Sequence, residues 1–198
     1  MAVLAALTRR RANCGRKRFR IELVIASLLL AYGRELPAAG PPTPEYKLKA
    51  VFLFNFAQFV EWPTEAFPEA QTPLIIGVLG EDPFGAYLDE IVRGEKVKQR
   101  SLIVQRYRRV DEIKTCHVLF IGRPEADRLG PTLAGLKGRS ILTVGESDNF
   151  AERGGMIRFV SEKSKIRMKI NLEAAKAAGL AISSKVLRAA DIIAPKKE

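Results

Sequence analysis

Cys116 and His117 put a thiol and an imidazole side by side. A thiolate activated by an imidazole is a nucleophile, and either side chain can ligate zinc. The expected geometry argues against both uses. The pair opens an apolar run, residues 117–121, that reads as a strand, and neighbours on a strand point to opposite faces. They therefore form no nucleophile–base dyad, and they sit at the start of their strand rather than at its crevice end. The chain has 1 His and 2 Cys, which leaves no cluster for zinc or another transition metal. A buried, hydrogen-bonded imidazole beside a small buried thiol is the plain expectation.

Acid–base chemistry fares no better. The carboxylate pairs Glu81/Asp82, Asp89/Glu90 and Asp111/Glu112 are each adjacent in sequence, as helix caps and solvated faces usually are. There is no GxSxG elbow, no GxGxxG and no GxxxxGK[ST] loop. Catalysis is disfavoured, and no cofactor or metal is expected.

A better candidate is the set of strand ends. Leu74–Leu79 runs into Gly80-Glu81-Asp82, residues 117–121 into Gly122-Arg123-Pro124, and residues 140–144 into Gly145-Glu146-Ser147. Ligands of open α/β sheets bind in the crevice beyond the carboxyl ends of the strands. Either these are ordinary strand-to-helix turns with capping acids, or Glu81, Asp82, Arg123, Glu146 and Ser147 line a small-molecule or partner pocket.

A second candidate is a hairpin of residues 156–160 and 165–170 around a loop of 161–164. If Val160 pairs with Lys165, Phe159 faces Ile166 and Ile157 faces Met168. The other face then sets Arg158 opposite Arg167, with Lys169 beside Met156. Like charges directly across a ladder are destabilising unless something neutralises them. Three answers stay open: the cations splay into water and guard the edge, an acid such as Glu152 or Glu173 pairs with them, or they meet an acidic patch on a partner. On the last, Arg158, Arg167 and Lys169 are a partner-binding face, and charge reversal of Arg158 lowers affinity with little loss of melting temperature.

These residues need a scaffold. Residues 49–63, KAVFLFNFAQFVEWP, hold four of the 10 phenylalanines and the only tryptophan. As a helix, Leu48, Val51, Phe52, Phe56, Phe59 and Val60 recur at spacings of three and four and predict one wide apolar face. Phe54, Trp62 and Phe67 are left as a possible exposed edge for docking. Pro63 ends this helix. Residues 83–93 read as a helix with Asp82 as N-cap and Pro83 at its first position. Residues 101–106 read as a strand and 124–136 as a helix. After the hairpin, helices are expected over 172–178 and, from the N-cap Ser183, over 183–193. Continuous apolar strands alternating with helices indicate an α/β fold: a single domain with a mostly parallel sheet covered by helices on both faces, plus the antiparallel hairpin in its C-terminal third.

The first forty residues belong to export rather than fold. Seven cations between Arg9 and Arg20 precede an apolar run, residues 23–32, of signal-peptide length and too short to span a membrane. Cleavage is expected near Gly33 or Gly40. Residues 1–40 carry 8 Lys+Arg against 2 Asp+Glu, leaving 25 against 20 in residues 41–198. Most of the formal net charge of +11 is therefore leader, and nucleic-acid binding is not expected. Residues 41–198 are one domain's worth, with Cys116 as their lone cysteine.

Five blocks in order (KAVFLFNFAQFVEWP, LGEDPFGAYL, CHVLFIG, ILTVGESDNFAERGGMIRFV and INLEAAKAAGLAISSKVLRAA) span residues 46–190 and resemble the YfiR-like family of small exported bacterial proteins. The resemblance implies a periplasmic repressor of an inner-membrane diguanylate cyclase, relieved when an outer-membrane-associated lipoprotein sequesters it, with a tendency to dimerise. The chain departs from relatives that carry several cysteines, so their disulfides cannot be carried over. Two other functions stay open: a periplasmic small-molecule binding module using the crevice, and an exported enzyme of unrecognised type.

Overall fold

A computed structural model describes residues 42–163 and 165–194. The expected leader, its expected cleavage sites and Cys14 lie outside the described residues.

The elements in chain order are helix α1 (Pro44–Phe59), β1 (Val60–Glu61), β2 (Leu74–Leu79), α2 (Ala86–Val92), β3 (Lys96–Val97), β4 (Arg100–Tyr107), β5 (Val118–Ile121), α3 (Leu129–Gly135), β6 (Leu142–Gly145), β7 (Ile157–Glu162), β8 (Lys165–Asn171), α4 (Leu172–Ala177), β9 (Ala181–Ile182), α5 (Ser184–Leu187) and β10 (Asp191–Ile193). Eight strands form one sheet in the order β10-β8-β7-β6-β5-β2-β4-β3. All neighbouring pairs are parallel except β3–β4 and β7–β8. This is the mostly parallel α/β sheet with a C-terminal hairpin that the apolar runs indicate. A small separate ladder pairs β1 with β9.

Strand alternation divides the core between the two faces. Val118 and Phe120 of β5 and Leu142 and Val144 of β6 join the larger cluster, under α1 and α2. Leu119 and Ile121 join a smaller one with Leu129 of α3. Two close approaches shape the smaller face. A Cβ on Gly77 would come within 2.7 Å of the Cys116 sulfur. A Cβ on Gly145 or Gly155 would come within 2.4 and 2.2 Å of the Phe150 ring, so each of the ring's two edges lies against a bare backbone.

The structure corrects the expected face of α1. Leu48 and Val51 are 44% and 37% exposed and Phe52 and Phe59 only half-buried, whereas Lys49, Ala50, Leu53, Phe56 and Ala57 are buried. This helix is apolar almost all round, so periodicity alone does not select its inner face. The small residues Ala50 and Ala57 let the helix axis approach the sheet, and the bulky aromatics fill the flanks.

Three further spans differ. Asp82 caps no helix: its carboxylate accepts from the N–H groups of Phe84 (2.8 Å) and Gly85 (3.2 Å) in a turn, Gly85 takes the N-cap position, and α2 begins only at Ala86, beyond Pro83. The span 124–136 starts as a 3-10 helix, Arg123–Arg128, before α3. Ser183 caps α5, yet that helix stops at Leu187, and Asp191–Ile193 becomes a strand parallel to β8.

The hairpin register is also corrected. Its loop is two residues, so Glu162 rather than Val160 pairs with Lys165. The ladder shifts by two, which keeps every side chain on its expected face. Phe159 now faces Met168, Ile157 faces Ile170, and Arg158 faces Lys169 instead of Arg167.

Candidate functional site

The carboxyl ends of β5 and β6 meet the first turns of α1. Glu146 directly follows β6, and its side chain is 3% exposed. Its carboxylate accepts from the Tyr46 hydroxyl (2.8 Å) and from the Lys49 ammonium, and pairs with Arg123 Nε (3.2 Å). Lys49 is wholly buried and also donates to Glu45 Oε1 (2.5 Å), which accepts from Ser161 Oγ (2.6 Å). The ammonium lies 4.6 Å from the Tyr46 ring centroid. Two carboxylates thus face two cations, and the deeply buried charges among them, Lys49 and Glu146, persist only because they are so paired. The Lys49 bond holds the Glu45 carboxyl below the usual range. Desolvation, then the bond to Glu146, raises the Tyr46 phenol above its ordinary value.

Of the five expected crevice residues, Arg123 and Glu146 come together here. Asp82 is committed to its turn and to Arg106 Nε (2.8 Å), whose guanidinium also binds Asp89. Glu81 is exposed, and Ser147 is half-buried with its carbonyl accepting from the Phe150 N–H. Tyr46, Lys49, Glu45 and Ser161 are absent from the sequence-based set. The spacing of four between Glu45 and Lys49 is a helical ion-pair signal, and a lysine inside an aromatic helix is a second one. Their long-range partner, Glu146, has no local signature.

The basic hairpin face meets the chain's own acids. Arg158, 14% exposed at its side chain, pairs with Asp148. Lys169 lies 3.7 Å from Glu152 and Arg167 3.8 Å from Glu162, while Glu173 pairs with Lys176. Arg158 Nε and Glu152 Oε2 are buried without a hydrogen-bond partner among the described residues.

Cys116 and His117 occupy different surroundings. Burial pushes the Cys116 thiol up to about 12, and it packs with Tyr107 and Ile113. His117 Nδ1 accepts from the Ile75 N–H (3.0 Å), so Nε2 carries the proton and donates to Ala66 O (3.2 Å). Burial pulls this imidazole down to about 4. It stacks on Phe67 at 4.4 Å, with Trp62 edge-on, so these two half-buried aromatics enclose it.

Among the described residues, no group of three or more His, Cys, Asp or Glu is placed to hold a metal ion, and no helix is long and apolar enough to cross a membrane. No curated protein matches the chain. A family model described as YfiR/HmsC-like matches residues 46–191.

Proposed function

This chain belongs to the YfiR/HmsC-like family, and on that premise we propose that it is an exported regulatory protein without catalytic activity. It binds the periplasmic sensor region of an inner-membrane diguanylate cyclase and represses it, lowering cyclic di-GMP. An outer-membrane lipoprotein that sequesters it would restore output, and the working unit is a homodimer. The observation that carries this proposal is the extent of the family match, which runs from the first turn of α1 to the first residue of β10. It is supported by the placement of the reactive groups: Cys116 and His117 are buried, and the Glu146 carboxylate is taken up by Tyr46, Lys49 and Arg123.

The test is cellular cyclic di-GMP in a deletion strain complemented with the intact or the leaderless chain. A rise on deletion, reversed only by the intact chain, is expected. An unchanged level on deletion would remove the proposal, and thermal-shift screening for a small ligand of the crevice would follow, since a ligand bound only to the folded state raises the midpoint.

A further inference from the structure

β8 is covered on its outer edge over only part of its length. β10 pairs with Lys169, Ile170 and Asn171, and no strand lies beside Lys165–Met168 among the described residues. The Asn171 N–H bonds across to Met156 O, on the β7 side. Main-chain groups alternate in direction along an antiparallel strand, so those of Ile166 and Met168 point away from β7; the pairing of Asp191 with Lys169 takes the Met168 carbonyl, which leaves both groups of Ile166 and the Met168 N–H on the open edge. These positions are available to a further strand.

The two faces of that edge differ in chemistry. Ile166 and Met168 lie on the side of the larger core cluster, and a groove of about 540 Å³ opens there between Leu48, Ile166, Ser161 and Lys165. Leu48 is 44% exposed at its wall. On the opposite face stand Lys165, Arg167 and Lys169. The hairpin's ion pairs use Arg158, Arg167 and Lys169, whereas Lys163 and Lys165 form none among the described residues. Edge lysines deter indiscriminate pairing, and they also select the charge of what can pair.

We infer that the open edge of β8 takes an extended segment of a partner protein as an additional strand, with acidic and apolar side chains alternating along it. Its main chain bonds to both groups of Ile166 and to the Met168 N–H. Its apolar side chains enter the groove beside Leu48 and Ile166, and its acidic ones meet Lys165 and Arg167. Strand addition of this kind draws affinity from the main chain and specificity from alternate side chains. The inference deepens the regulatory proposal by naming how a partner is held, and its test needs no cyclase, so either can fail alone.

The probe is a labelled, end-blocked ten-residue peptide alternating glutamate and valine, titrated against the full chain by fluorescence anisotropy at low salt. A permuted peptide of equal composition, with its glutamates gathered in one half, is the control. The alternating peptide is expected to bind at least tenfold more tightly than the permuted one. N-methylation of the residues on its pairing edge should abolish binding. Ile166→Pro removes an outward N–H while sparing the β7 ladder, and should weaken binding at least tenfold. The pair Lys165→Glu and Arg167→Glu should transfer preference to a lysine–valine peptide, with melting curves confirming the fold. Equal binding of the permuted or N-methylated peptide, or no binding at millimolar concentration, would overturn the inference. So would self-association of the chain that is lost in Ile166→Pro and that the peptide cannot displace, because a second copy would then own the edge.

Discussion

The ammonium of Lys49 and the carboxylate of Glu146 form an ion pair between α1 and the end of β6, 97 residues apart in sequence and with side chains 0% and 3% exposed. The pair fastens the first turns of α1 to the sheet. Removing Lys49 leaves the buried Glu146 carboxylate to the Tyr46 hydroxyl and the exposed Arg123 alone, at a cost of up to about 3–5 kcal/mol. Lys49→Met is therefore expected to lose stability on that scale in urea unfolding. Adding Glu146→Leu should recover much of the loss, because two apolar groups leave no orphan charge. An additive double variant would show that the pair is not coupled.

Phe150 predicts a second set of effects. Its ring occupies the space a Cβ would need on Gly145 and Gly155. Gly155→Ala should cost about 1–3 kcal/mol by overpacking. The same change in a Phe150→Leu background should cost less, since the ring edge that crowds Gly155 is gone. Equal losses in both backgrounds would place the strain in the backbone instead.

His117 gives the domain a pH dependence with a definite sign. The folded imidazole stays neutral down to about 4, while the unfolded one takes a proton near its ordinary value of 6.5. Between those limits the unfolded chain binds more protons, so stability falls as pH drops through that window and levels below it. The expected loss is about 2–3 kcal/mol. His117→Asn can still accept the Ile75 N–H but does not titrate, and it should flatten this part of the profile measured from pH 7 to pH 4.

Arg158 now carries a structural expectation. Its side chain is 14% exposed, faces Lys169 across the ladder and pairs with Asp148. Arg158→Glu sets two carboxylates together and should lower the melting temperature by several degrees, in line with a loss of about 1–3 kcal/mol. A variant with an unchanged melting temperature but weaker partner binding would return Arg158 to the partner face.

Local pattern was enough for the alternation of apolar strands with helices, the Ser183 cap and the apolar face of the hairpin, because each depends on residues a few positions apart. The same locality explains where pattern fell short. α1 is apolar around most of its circumference, and only contact with the sheet selected Ala50 and Ala57 as the side of approach. The hairpin register turned on whether its loop has two residues or four, and both choices keep the same residues inside. Residues 191–193 became a strand because β8 offered an edge to pair with.

The amino-acid pattern by itself determined the layered α/β architecture, the burial of Cys116 and His117 and the family. Folding in three dimensions decided which charges meet. Arg123 and Glu146 end neighbouring strands, so adjacency in the sheet brought them together. Tyr46 and Lys49 reach the same carboxylate from a helix near the other end of the sequence. A buried charge is stable only with its partners in place, and periodicity records which face a residue takes, not which distant residue awaits it there.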